Sequence, residues 1–114
     1  MKINFAQTII ALAVSLLISY GLYSFHDSEN KILLSAGSFV FLAIALVMTI
    51  GASVNLPRTT TNIRVVSGIF FAMAFISNLF FTFIDFSIPS YVIINGIMFL
   101  AFIFIVYSIN RAKL

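Results

Sequence analysis

Chemistry at neutral pH needs side chains that exchange protons, attack an electrophile or hold a metal, and this chain has few of them. Among 114 residues it carries three acids, one histidine and no cysteine. His26, Asp27 and Glu29 stand together in one polar run, and Asp85 lies far along the chain. Imidazole and carboxylate groups of this kind can hold a divalent ion loosely, but their spacing follows no recognised metal motif. The missing cysteines remove disulfides, thiolate nucleophiles, Cys-ligated zinc and iron–sulfur clusters. Membrane proteases, transferases and phosphatases pair a nucleophile with a base or with metal-binding carboxylates. No such set can be assembled from Asp27, Glu29, Asp85 and a single histidine. The expectation is a non-enzyme with no metal or other cofactor and no direct contact with nucleic acid.

The elements around these residues are set by composition. Hydrophobic residues make up 62% of the chain and charged residues 8%, where a soluble domain has about a quarter charged. A water-soluble globule and a disordered tail are both excluded. A helix crosses the ~30 Å hydrocarbon layer with about 20 apolar residues, and four stretches qualify: about 5–25, 32–54, 63–84 and 90–109. Backbone groups in lipid must pair within the segment, so these stretches are helical despite their β-branched residues. The first is too long for the ~7–15-residue core of a signal peptide and is read as a retained helix. Short polar connections make neighbours antiparallel. The predicted fold is therefore an all-α, four-transmembrane-helix up-down bundle, a single membrane domain over 1–114.

Five of the six Lys and Arg residues (Lys2, Arg58, Arg64, Arg111 and Lys113) fall on one side of such a bundle. Lys31 falls on the other side, with Asp27, Glu29 and Asp85. The positive-inside bias then puts both termini and the 55–62 loop in the cytoplasm, in a bacterial inner membrane. Tyr20, Tyr23 and Tyr91 are expected at the outer interface and Tyr107 at the inner one. Pro57 is expected to end helix two, Thr61 or Asn62 to cap helix three, and Ser87 or Ile88 to start helix four with Pro89 in its first turn.

No ionisable residue lies deep within the four stretches, which removes the usual marker of a proton-coupled carrier or a buried haem ligand. Neutral polar groups gather instead in the outer half. Asn78 lies roughly 9–10 Å and Asn95 roughly 7–8 Å below their helix ends. Ser19, Ser35, Ser38 and Ser77 lie at similar depth. Asn78 and Asn95 should face the interior and bond each other or a neighbouring serine, since hydrocarbon offers no partner. This level is read as helix–helix packing, with a small cavity as the competing reading. Ala11-xxx-Ser15-xxx-Ser19 and Gly68-xxx-Ala72 are expected contact faces. The six phenylalanines between Phe70 and Phe83 point all round helix three, so most of them should face lipid, with an oligomer contact open to the rest.

On the cytoplasmic face Arg58, Thr59, Thr60, Arg64, Arg111 and Lys113 form the candidate surface for anionic lipid or an acidic protein partner. In size and helix count the chain is similar to the small multidrug resistance exporters. Those carry a membrane-embedded Glu in the first helix, whereas Ile9–Ser19 has no acid, so drug/proton exchange is not carried over. Small four-helix immunity proteins against pore-forming bacteriocins and membrane subunits of phage-defence systems offer a second analogy. The resulting expectation is a homo-oligomeric membrane subunit that anchors or senses and docks a cytoplasmic protein. A small-solute pore and an immunity protein are the alternatives.

Overall fold

The computed structural model describes residues 2–25, 31–84 and 86–113. A short strand, β1 (Lys2–Ile3), leads into α1 (Phe5–Phe25). α2 (Lys31–Leu46) runs on through a π-helical turn (Val47–Gly51) to a second strand, β2 (Ala52–Ser53). α3 (Pro57–Thr82) and α4 (Ile88–Ala112) complete the chain. Four helical segments are long and apolar enough to cross a membrane. At ~1.5 Å per residue, the 21 residues of α1 span about the hydrocarbon thickness. The 26 residues of α3 exceed it by roughly 9 Å.

That excess explains where helix three begins. Hydropathy puts its start at residue 63, but the helix opens six residues earlier, at Pro57, with Leu56 in the capping position and no side-chain cap. Thr61 and Asn62 are therefore interior helical residues, and the Thr61 hydroxyl bonds the Pro57 carbonyl at 3.0 Å. Pro57 is preorganised for a first turn and has no N–H to lose there. Polar residues can be helical once they lie beyond the hydrocarbon. Helix four is longer too, 88–112 rather than 90–109. Ser87 caps it, accepting from Ser90 N at 3.4 Å.

Helix two departs in the opposite sense. It is α-helical only to Leu46, passes through the π turn, and is extended from Ala52 instead of running on to Val54. Asn4 fixes this end. Its side chain caps α1 by accepting from Gln7 N at 3.0 Å, and its own N–H donates to the Gly51 carbonyl at 2.7 Å. Lys2 and Ile3 then pair antiparallel with Ser53 and Ala52. A side chain at Gly51 would press on Thr8, with Cβ 3.1 Å from its hydroxyl, so the glycine permits the close approach. Thr60 closes the following turn, its hydroxyl accepting from Val54 N (2.9 Å) with the Val54 carbonyl 3.1 Å away.

Contacts between successive helices run antiparallel. Ser19 of α1 meets Ser35 and Ser38 of α2, while Thr8 lies against Gly51. Arg64 of α3 reaches Ala52, and Phe70, Asn78 and Phe81 of α3 meet Phe102, Asn95 and Tyr91 of α4. The Cα envelope measures 45 × 27 × 15 Å, a flattened arrangement in which α1 packs on α2 and the π turn while α4 packs mainly on α3. One apolar cluster joins Leu42, Ala45, Ile63, Phe70 and Phe102, with Phe70 and Phe102 stacked at 4.4 Å. The other joins Leu22, Leu34, Phe81 and Tyr91.

The outer surfaces are apolar: Leu16 and Leu17 on α1, Phe80 and Phe83 at the end of α3, and Leu100 and Phe104 on α4 are all exposed. A soluble monomer rarely leaves contiguous patches of this kind. Of the α3 phenylalanines only Phe70 and Phe81 are buried. The small residues divide between the two expected faces. Ala11, Ser15 and Ser19 are buried in a row, whereas Ala72 is exposed, so α3 packs through Ile63, Ser67, Phe70, Ala74 and Asn78 instead of Gly68-xxx-Ala72. The spacing was compatible with either side of the helix, and the larger residues decided which one packs.

Candidate functional site

Two groups of polar side chains are held at opposite ends of the helices. The first lies toward the end where α3 gives way to α4. Asn78 (0% exposed) and Asn95 (2%) both face the interior. The Asn78 amide donates to the Ala74 carbonyl at 2.8 Å and to Asn95 Oδ1 at 3.4 Å. The Asn95 amide donates to the Tyr91 carbonyl at 2.9 Å. Tyr91 completes the knot. Its hydroxyl donates to Asn78 Oδ1 at 2.7 Å, with the Leu34 carbonyl of α2 at 3.3 Å as the alternative acceptor.

Tyr91 is therefore not part of an interfacial aromatic belt. It is 2% exposed and packed among Phe81 and Phe86, each 5.2 Å away between ring centroids. Aromatic residues near the end of an apolar stretch fit a belt by position alone. The contrary signal was its spacing: Tyr91 precedes Asn95 by four residues and shares its helix face. The ring also lies directly over Gly37 of α2, where an added Cβ would be 2.5 Å from its hydroxyl. Gly37→Ala is expected to displace the ring and destabilise the fold by about 1–3 kcal/mol, as overpacking does. Detergent titration followed by helical circular dichroism measures this, and adding Tyr91→Phe should return part of the loss.

Ser19, Ser35 and Ser38 form a separate contact between α1 and α2. Ser35 Oγ donates to the Ser19 carbonyl at 3.2 Å, and Ser38 Oγ to the Ser35 carbonyl at 3.0 Å, with Ser19 Oγ 3.4 Å away. Ser77 is half-buried and belongs to neither set. The side chains of both sets bond to one another or to backbone carbonyls, an arrangement suited to holding helices together. His26, Asp27, Glu29 and Asp85 lie outside the described residues.

At the ribbon end, where β1 and β2 pair, the structure collects Lys2, Arg58, Arg64, Arg111 and Lys113, but not as one patch. Arg64 turns back, its Nε donating to the Ala52 carbonyl at 3.4 Å. Arg111 approaches the Tyr107 hydroxyl at 3.5 Å. Arg58 is exposed in the first turn of α3. Thr60 is committed to the Val54 turn, and Thr59 is 1% exposed, so neither is a free surface hydroxyl. Lys113 adopts φ 56° at the end of α4 and lines a cleft of about 330 Å³ with Thr59, Asn55 and Asn110.

Fold and sites together define an integral membrane protein built as a bundle of apolar helices, with Tyr91, Asn78 and Asn95 bonded to one another in its interior and five of its six Lys and Arg residues toward one end. Compared with protein-family models, characterised proteins and solved structures, the chain matches none of them.

Proposed function

We propose that this chain is a non-catalytic subunit of a bacterial inner membrane, oriented with both termini and the 55–62 segment in the cytoplasm, that docks a cytoplasmic protein at its ribbon end. Phage-defence membrane components supply the analogy, and homo-oligomers are expected because the helices leave so much apolar surface uncovered. One observation carries the reading: Lys2, Arg58, Arg64, Arg111 and Lys113 gather at a single end, while Asn78, Asn95 and Tyr91 deeper in the helices bond to one another. Basic residues at a cytoplasmic surface attract anionic lipid by about 1 kcal/mol each, and an acidic protein face presents the same charge.

A small-solute pathway would need Asn78 and Asn95 to face an opening. Their amides are engaged by Tyr91, Ala74 and each other, which supports packing over transport. The docking reading is tested by replacing Arg58, Arg64, Arg111 and Lys113 with alanine. Pull-down of the cytoplasmic partner from the native host should be lost while membrane insertion and helicity persist. Unchanged capture would refute docking at this face, and protection of cells from a co-encoded toxin would favour the immunity alternative.

A further inference from the structure

An apolar groove of about 240 Å³ runs between α3 and α4. Phe70 and Phe102, buried and stacked at 4.4 Å, form its floor. Ile69 and Met73 of α3 and Ile97 and Ile105 of α4 are its exposed walls. The groove stays open because Ala101, itself exposed, stands where a longer side chain would close it. Lipid tails are as apolar as these walls, so filling the groove gains little by itself. It fixes where an acyl chain lies, and other groups must select the molecule that lies there.

The selecting groups stand toward the ribbon end of the same helix face. Ile97, Ala101, Ser108 and Ala112 follow at spacings of four, seven and four, which keeps them on one side of α4. Past Ile105 this side meets a second, open hollow lined by Phe104, Tyr107, Ser108, Arg111 and Ala112. Arg111 is exposed, and one of its nitrogens lies 3.5 Å from the Tyr107 hydroxyl, which leaves its other N–H donors open. No carboxylate lines either hollow. A guanidinium placed this way takes a phosphate through paired N–H groups, whereas a choline or ethanolamine ammonium meets no counter-charge. The length also fits one lipid. From Arg111 to Ile97 the helix rises about 21 Å, and half of a bilayer with its headgroups is about 20–22 Å. A lipid with its phosphate at Arg111 therefore reaches Ile97, where the groove ends two residues short of Asn95.

We propose that this face seats one anionic phospholipid, its phosphate on Arg111 beside Tyr107 and Ser108 and an acyl chain in the groove between α3 and α4. Seating depends on embedding in a membrane and not on a docked protein. The test uses the full chain in phosphatidylcholine nanodiscs, with carbon-13 in its methionine methyls. Met73 and Met98 line the groove, and Met48, packed against the apolar cluster, is the internal reference. Phosphatidylglycerol or, separately, phosphatidylcholine carrying a nitroxide on its acyl chain is titrated in, and methyl broadening is read by NMR.

Half-maximal broadening of Met73 and Met98 should need about tenfold less labelled phosphatidylglycerol than labelled phosphatidylcholine, the difference that one charge-assisted hydrogen bond makes. Arg111→Gln should erase that preference, and Arg111→Lys should keep part of it. Lys113→Gln, a cation turned instead to the cleft with Thr59, should leave it unchanged. Ala101→Phe should fill the groove and abolish the preference while the Met48 signal stays in place, which separates a filled groove from a lost fold. Equal broadening by the two lipids would reduce the groove to ordinary lipid contact. Full preference in Arg111→Gln or Ala101→Phe would place the lipid elsewhere, and a second copy of the chain in the groove would shield both methyls from either lipid. Each of these results would overturn the site. No partner protein enters the assay, so its failure leaves the docking reading standing, and loss of docking leaves the lipid seat standing.

Discussion

Tyr91→Ala is expected to lower the unfolding free energy by about 3 kcal/mol. The ring fills the space between α2, α3 and α4: it stacks on Phe86 and makes an edge contact with Phe81, and its hydroxyl lies over Gly37 and reaches Asn78. Removing a large buried ring costs about 3–5 kcal/mol in water-soluble cores. Lipid tails are as apolar as a protein core, so part of the transfer contribution is absent in a membrane and the lower value applies. Tyr91→Phe keeps the ring and loses only the hydroxyl, so it should cost about 1 kcal/mol. Equilibrium unfolding in mixed micelles separates the two. Equal costs would mean that the hydrogen bond, and not the packing, holds α4 in place.

Asn78→Leu is the second large effect, expected at about 1–3 kcal/mol, against less than about 1 kcal/mol for Asn95→Leu. The two amides look equivalent in the sequence, and the geometry separates them. Asn78 accepts the short bond from Tyr91 and donates both to α4 and to its own helix. Without it, the Tyr91 hydroxyl keeps only the Leu34 carbonyl at 3.3 Å, and Asn95 Oδ1 loses its donor. Asn95 places its own amide on Tyr91 of the same helix, and its one bond to α3 is long at 3.4 Å. Polar contacts between membrane helices average about 0.6 kcal/mol, so a large difference requires groups left unpaired. The double variant with Tyr91→Phe should cost less than the sum of the single changes, because both remove the same bond. Strict additivity would contradict the shared contact.

The four spans were legible because mean hydropathy is a property of sequence alone, and lipid acts on it directly. Asn78 and Asn95 were legible because an amide within an apolar stretch has to find a partner. The start of α3 was hidden because hydropathy marks the edge of the hydrocarbon, not the end of helical backbone. The π turn and ribbon were hidden for a different reason. They depend on Asn4 and Thr8 meeting Gly51 across a long stretch of chain, and no local pattern encodes that. Thr59 and Thr60 look alike in a run of three threonines, yet one closes a turn and the other is buried in the wall of a cleft. Only the path of the chain after Ser53 separates them.

The arrangement of charge also bears on how the helices are held. α3 exceeds the hydrocarbon thickness, so its first turns project beyond it or the helix tilts. Projection puts Arg58, which is exposed in the first turn, at headgroup level. It leaves Ile63 and the residues after it to pack in the apolar layer.

The natural chain contains no cysteine, so single cysteines report sidedness without background. Asn55→Cys, Lys113→Cys and Ser87→Cys place thiols at exposed positions on the two ends of the bundle. They are probed with a membrane-impermeant maleimide in intact spheroplasts and in inverted vesicles. The expected result is labelling of Ser87→Cys in spheroplasts, and of Asn55→Cys and Lys113→Cys only in inverted vesicles. Labelling of Asn55→Cys and Lys113→Cys from opposite faces, or of all three from one face, would contradict a four-span protein with its basic end in the cytoplasm.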